Sequence, residues 1–231
     1  METHTLAHKV VVVTGAGGRL GQQLLRRFAQ EGSRLAAVVR TAEQARQLQL
    51  PEGAEGAAFH ADLADEAQVA ACFGKIWDRF GYVDVLVHAA GLWDERPLLE
   101  MTLDDWRAML DANLTSTFLC FREAARLMRG RSGGRLIAFA SMQGADRGRA
   151  RQAAYSAAKG GLVRLVEAIG GELAAQGITA HVVAPSVIRY DEGSEGSGVT
   201  AAELAELCVY LCTPAGAALN GMVIRAYGRD F

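Results

Sequence analysis

The sequence predicts an α/β fold: a doubly wound parallel sheet of about seven strands with helices on both faces. Three observations predict it. Short apolar, β-branched runs recur along the chain. Longer stretches with apolar residues at helical spacing lie between them. The two kinds alternate, strand then helix, through most of the sequence. Strands that are apolar throughout are buried on both faces, as in a parallel sheet covered by helices. Repeated strand–helix–strand units build such a sheet with one hand. A chain of 231 residues, half of them apolar and 22% charged, is expected to form a single domain over residues 1–231 with one large core.

The elements follow in order. Residues 10–13 are four valines, read as a central strand. Residues 19–31 then carry Leu20, Leu24, Leu25 and Phe28 at helical spacing, with Gly32 where a C-terminal cap falls. Further strands are expected at residues 35–39, 57–60, 83–87, 135–140, 178–184 and 222–226. The remaining helices are expected at about 64–80, 103–129, 155–176 and 201–211. Residues 191–198 read Asp-Glu-Gly-Ser-Glu-Gly-Ser-Gly, a composition that packs no core, so a flexible loop is expected over about 189–200.

Composition narrows the function classes. A formal net charge of −2 gives no electrostatic reason to expect nucleic acid or an anionic membrane as partner. Cys72, Cys120, Cys208 and Cys212 form no Cys-x-x-Cys pair, and they are expected to be buried thiols in a reducing compartment. The sequence shows no signal-peptide pattern and no apolar run of membrane-spanning length, so a cytoplasmic protein is expected, with no metal.

Residues 14–21 read Thr-Gly-Ala-Gly-Gly-Arg-Leu-Gly and join the first strand to the first helix. Glycines at such a turn let the backbone approach a pyrophosphate, and the helix N-terminus favours its charge. Gly15, Gly17, Gly18, Arg19, Leu20 and Gly21 are therefore candidate dinucleotide-binding residues, and the strand–turn–helix context supports them. A carboxylate about twenty residues on would mark NAD. Here the sequence reads Ala37-Val-Val-Arg40-Thr41. Arg40 suits a 2′-phosphate, with Arg19 as a second cation, and a plain surface charge is the alternative. NADP(H) is the expected cofactor, with NAD(H) as second choice.

The segment Tyr155-Ser-Ala-Ala-Lys159 places a phenol and an ammonium four residues apart, on one face of a helix. A nearby positive charge favours phenolate and would bring the tyrosine, ordinarily near pKa 10, toward neutral pH. Such a pair can exchange protons with an alcohol or a carbonyl.

Taken in order, these motifs resemble the short-chain dehydrogenase/reductase family, whose fold is of the Rossmann type. The resemblance rests on the loop at 14–21, Asp62-Leu63, His88-Ala-Ala-Gly91, Asn113 in Leu-Asp-Ala-Asn-Leu, Ser141, Tyr155-x-x-x-Lys159 and Pro185-Ser-Val-Ile188. It covers nearly the whole chain. It implies Tyr155 as general acid/base, Lys159 as the group that lowers its pKa and binds the nicotinamide ribose, Ser141 as the substrate-orienting donor, and Asn113 as holder of a proton-relay water. Asp62, Leu63, Ala89, Ala90, Gly91, Pro185 and Ile188 would line the dinucleotide beside the glycine loop and Tyr155 and Lys159. A small carbonyl/alcohol substrate and a homo-oligomer, dimer or tetramer, are implied too. Leu162, Val163, Leu165 and Val166 are expected to serve core and partner together. Plainer roles stand beside these: Ser141 as a turn cap, Asn113 as a helix-kinking residue, Asp62 as an N-cap, and His88 as a buried imidazole.

The sequence also departs from the family. Arg19 stands where a loop glycine is usual, Ala89 where an asparagine is usual, Ser186 for a glycine, and Tyr190 for a threonine that contacts the carboxamide. The substrate-covering segment after the sixth strand is reduced to about a dozen residues. Arg189 and Trp93 stand beside the expected opening. Two other functions are weighed: a non-catalytic dinucleotide sensor or scaffold, and a reductase of a ring substrate such as a pterin.

Overall fold

The computed structural model describes residues 6–131, 133–190 and 196–229. One sheet of seven parallel strands runs through them: β1 (Val10–Thr14), β2 (Arg34–Val39), β3 (Gly56–His60), β4 (Val85–His88), β5 (Arg135–Phe139), β6 (Thr179–Pro185) and β9 (Met222–Ala226). Their order is β3-β2-β1-β4-β5-β6-β9, every neighbouring pair parallel. The strand order reverses between β1 and β4, where ligands enter sheets of this kind. The expected architecture is the one observed.

The helices are α1 (Arg19–Gln30), α2 (Ala42–Gln47), α3 (Glu66–Phe80), α4 (Leu103–Leu110), α5 (Ser116–Met128), α6 (Met142–Ala145), α7 (Ala153–Leu173) and α8 (Ala201–Cys212). Successive residues of a strand point to opposite faces, so the valine run of β1 feeds two cores. Val10 and Val12 pack with Phe73, Ile76, Phe121 and Leu162 under α3, α5 and α7. Val11 and Val13 pack with Leu24, Leu25, Phe28 and Leu204 under α1 and α8. All four valines are fully buried. Cys72, Cys120, Cys208 and Cys212 are buried free thiols, and burial pushes each of them up in pKa.

Several expected boundaries change. The helix expected over 103–129 is interrupted by a π-turn, Asp111–Thr115, with buried Asn113 at its centre. The helix after β3 begins at Glu66, and its N-cap is Asp65, whose side chain accepts from Gln68 N. Asp62 instead accepts from Ala64 N at 3.1 Å. Helix α2 was not expected; Thr41 and Gln44 form a capping box that starts it. Of the expected loop at 189–200, residues 191–195 lie outside the described residues. Its flanks form two short paired strands, β7 (Ile188–Arg189) and β8 (Val199–Thr200). Leu162, Val163 and Val166 are consumed by the core, leaving only Leu165 of that group partly exposed. Among the described residues no helix is long and apolar enough to cross a membrane.

One polar link ties the sheet to its helix layer. The His88 ring lies 3.0 Å from Thr14 Oγ1 through Nδ1 and 3.3 Å from Ser116 Oγ through Nε2. It thereby joins β1, β4 and α5. Burial, helped by the Lys159 charge, holds its pKa down to about 3 from the usual 6.5. His181, on β6, is likewise lowered to about 4, by burial and then by Arg135. The unfolded chain takes up these protons near pH 6.5 and the folded chain resists them. The associated stability is therefore complete above about pH 6.5 and is lost as pH falls through the folded pKa. For His88 alone, the unfolding free energy in urea is expected to drop by roughly 2 kcal/mol between pH 6.5 and pH 5. A His88→Asn variant should show a shallower slope over that interval, and an unchanged slope would refute this assignment.

Candidate active site

The residues singled out in the sequence converge at the C-terminal edge of β1, β4, β5 and β6. Ser141 follows β5 and caps the short helix α6, its hydroxyl accepting from Gln143 N at 3.3 Å and donating to Gln143 Oε1. Tyr155 and Lys159 lie one turn apart near the start of α7. Lys159 is buried, and its Nζ donates to the Phe139 carbonyl at the end of β5 at 2.8 Å. Burial lowers its pKa to about 8.

The electrostatics differ from the sequence expectation. Burial raises the Tyr155 phenol above its usual range, and the opposing pull comes from a hydrogen bond with Ser141. Lys159 is committed to the β5 carbonyl and sits 5.8 Å from the Tyr155 ring centre. At neutral pH the phenol keeps its proton and is set as a donor.

Asn113 is buried in the π-turn, and its side chain acts as a clamp. Its amide donates to Leu92 O at 2.8 Å and to Met109 O at 3.0 Å, while Oδ1 accepts from Leu92 N at 3.3 Å. This fixes the chain leaving β4 above the sheet edge. Gly91 is required there, since a β-carbon would sit 2.8 Å from Asn113 Oδ1. The relay role implied by the resemblance would require this amide to share those bonds.

A dinucleotide fits the loop at 14–21. Gly15 has φ +65°, and a β-carbon on it would lie 2.8 Å from the Ala89 and Ala90 backbone. A β-carbon on Gly21 would lie 2.2 Å from Gly15 O. The loop is thus closed tightly against the end of β4, and Ala90 N donates to Thr14 Oγ1 at 3.4 Å. Gly17 and Gly18 face outward, and no side chain caps the start of α1. The first-turn amides of α1 are therefore open to an anion. Beside them lies a cavity of about 290 Å3 lined by Gly17, Arg19, Gln22, Arg26, Arg189 and Tyr190, among others. Leu20 faces inward and packs in the core. Pro185 ends β6 and Ile188 opens β7, on the opposite wall.

The two candidate phosphate-binding arginines point to different places. The Arg19 guanidinium lies 4.0 Å over the Tyr190 ring. Arg40 is exposed at the end of β2 and pairs with Asp62 at 3.5 Å. Leu63 is half-buried against the core. Trp93 is 60% exposed, on the chain between β4 and α4.

Sequence reasoning missed two residues. Gln143 holds the Ser141 hydroxyl. Gly144 allows α6 to touch α7: a β-carbon there would lie 2.4 Å from Lys159 Cβ and 2.7 Å from Gly160 N. Its position three residues after Ser141 was the available signal. Gly144→Ala is expected to lower turnover at least about tenfold by displacing Ser141 and Lys159, since misplacement of about 1 Å costs roughly a hundredfold. Cofactor affinity, measured by fluorescence titration, should change much less because the glycine loop is untouched. Wild-type turnover in this variant would show that the contact is slack.

Comparison with known proteins agrees with this geometry. The family profile described as short chain dehydrogenase matches residues 9–195. The 3-oxoacyl-[acyl-carrier-protein] reductase of Synechocystis is 34% identical over 190 residues, covering 80% of this chain and 76% of its own. The D-threitol dehydrogenase of Mycolicibacterium smegmatis is 31% identical over 232 residues, covering 92% and 89%. A solved short-chain dehydrogenase/reductase from Serratia marcescens superposes with a TM-score of 0.89 at 26% identity, covering 98% of this chain and 99% of that one. The chain belongs to the short-chain dehydrogenase family, whose members are oxidoreductases using nicotinamide cofactors.

Proposed function

We propose that this protein is an NADP(H)-preferring oxidoreductase that interconverts a carbonyl and an alcohol. The observation that carries the reading is the convergence of Ser141, Tyr155 and Lys159. A half-buried phenol under the opposing pull of the Ser141 hydroxyl stands on the same helix as a buried ammonium, one turn away. A 3-oxoacyl reductase and a threitol dehydrogenase among the relatives act, by name, on a carbonyl and on an alcohol. That supports a reaction at carbon bearing oxygen.

When bound, the nicotinamide gives or accepts the hydride. The rest falls to the side chains. In the reductive direction negative charge grows on the substrate oxygen, and the Tyr155 and Ser141 hydroxyls are the two donors that meet it. Ser141 turns from Gln143 to do so. Tyr155 hands over its proton, and the Lys159 charge stabilises the phenolate left behind. Asn113 keeps the wall above the sheet edge in place through Leu92.

Tyr155→Phe removes the proton but keeps the ring. It is expected to cut carbonyl-dependent oxidation of NADPH by roughly 100- to 10,000-fold, with the dissociation constant of NADPH changed only a few-fold. Full activity in that variant would defeat the mechanism.

The preference for NADP(H) rests on Arg40. Its pair with Asp62 is long and exposed, and such pairs are worth about 0–1 kcal/mol. A dianionic 2′-phosphate competes well for it, since hydrogen bonds to charged groups are worth roughly 1.5–3 kcal/mol. NADPH is expected to bind at least about tenfold more tightly than NADH, and Arg40→Ala should close most of that gap. Equal affinities in the wild-type protein would assign the cofactor to NAD(H).

A further inference from the structure

Gln152 immediately precedes α7, three residues ahead of Tyr155. Three observations single it out. First, it is only 2% exposed, and its Oε1 has no hydrogen-bond partner. A buried amide oxygen left unpaired costs about 1–3 kcal/mol, and folded proteins keep few of them. Second, the orientation of the amide is fixed. Its Nε2 donates to Glu95 Oε1 at 2.6 Å, and a carboxylate only accepts. Turning the amide over would set two acceptors face to face, so the oxygen stays directed away from Glu95. Third, the preceding residue, Arg151, is held at φ +66°, a region that residues with a β-carbon seldom occupy. Its carbonyl accepts from Arg96 N at 2.7 Å. Strain of this kind persists only where the surroundings enforce it. Here it pins the chain between β4 and α4 against the residue next to Gln152.

Gln152 lines a small cavity together with Tyr155, Met109, Asp105, Arg96 and Asp94. Its volume is about 10 Å3, room for about one water-sized group. One wall is polar: Arg96 bridges Asp105 at 2.8 Å and Asp94 at 3.4 Å. An unsatisfied acceptor in a cavity that Tyr155 also lines calls for a donor. A ketone or thioester oxygen cannot supply one, and a neighbouring hydroxyl can.

We propose that Gln152 determines specificity: its Oε1 accepts a hydrogen bond from a substrate hydroxyl next to the reacting carbon, which selects hydroxyketones and their polyol counterparts over plain ketones. The inference rests on Tyr155 being the proton donor of the proposed reaction. Glu95 is the positioning residue that holds the amide in the accepting orientation.

The test is a ratio of kcat/KM values for a matched pair, 1-hydroxybutan-2-one and pentan-3-one, in which a methyl replaces the hydroxyl, with NADPH. The wild-type protein should favour the hydroxyketone by roughly 10- to 100-fold, the value of one acceptor left unpaired by the wrong substrate. Gln152→Leu should bring the ratio close to one, whatever happens to the absolute rates. Glu95 is itself half-buried on the chain between β4 and α4, and Glu95→Gln lets the Gln152 amide turn over, so it should reduce the ratio even if Gln152→Leu does not fold. A wild-type ratio near one would overturn the proposal and assign the cavity to a bound water. An unchanged ratio in the two variants would overturn it as well. If NADPH binds and neither ketone, nor any other carbonyl, is reduced, the oxidoreductase reading itself falls, and this inference with it.

Discussion

The C-terminal edge of the sheet is arranged around one buried ammonium. Lys159 lies almost entirely out of water and donates to the Phe139 carbonyl. A charge in such a place is expensive, and proteins respond by shifting its pKa or by supplying partners. Both responses are present. The pKa is drawn down to about 8, and neighbouring groups accommodate the charge. His88 remains neutral beneath it, with both ring nitrogens occupied by hydroxyls. Gly144 and Gly91 leave room for the lysine: a β-carbon would lie 2.4 Å from Lys159 Cβ at the first and 3.5 Å from its Nζ at the second. Backbone packing therefore holds the ammonium in position. A lysine near pKa 8 can still carry charge at neutral pH while paying a large desolvation cost, and any anion that forms beside it recovers part of that cost.

The Tyr155 proton follows the same logic. Burial favours the neutral phenol, and Ser141 offsets this in part. Without further charge in the site the residue is an acid at neutral pH. Phenolate becomes accessible only as the Lys159 charge is freed to face it. In the proposed reaction, Tyr155 as proton donor and Lys159 as the cation that stabilises its conjugate base are thus separated by a competition between two acceptors, the Phe139 carbonyl and a developing phenolate. That competition couples proton transfer to the position of α7 relative to β5. Gly144 bears on that position, since a β-carbon there would press on Lys159 Cβ at 2.4 Å.

Much of this was legible in the sequence because it is local. The valine run of β1, the glycine turn after it and the apolar face of α1 each announce themselves within about a dozen residues, and strand–helix alternation then leaves few topologies. The site residues were legible as residue types in an order. Their partners were not. Nothing local to Asn113 shows that its amide would be spent on Leu92 and Met109, or that the helix around it would widen into a π-turn that separates α4 from α5. The i, i+4 spacing put Tyr155 and Lys159 on one face, but it could not show that a carbonyl on β5 would win the ammonium. Asp62 was read as a residue lining the dinucleotide or as a cap. The cap fell to Asp65, three residues later, and Asp62 instead faces Arg40 across the ends of two strands. Each of these outcomes depends on contacts between segments distant in sequence, which periodicity and propensity do not encode.

Two departures from the family pattern, Arg19 in the glycine loop and Tyr190 after β6, stand far apart along the chain. In space they are one interaction. The guanidinium lies 4.0 Å over the phenol ring, a cation–π contact worth about 0.5–2 kcal/mol depending on its exposure. It joins the loop that would receive the pyrophosphate to the segment that leaves β6. A glycine and a threonine at these places could not make this contact. Here the segment is short, its flanks are tied as the paired strands β7 and β8, and the arginine–tyrosine stack supplies a cross-link at the mouth. The substitutions therefore read as a matched pair: the residue that lost a loop glycine gained the reach to hold the opposite wall. The small polar cavity beside Gln152, where Arg96 bridges Asp94 and Asp105, is a separate feature, and under the proposal above it suits a substrate that brings its own hydroxyl.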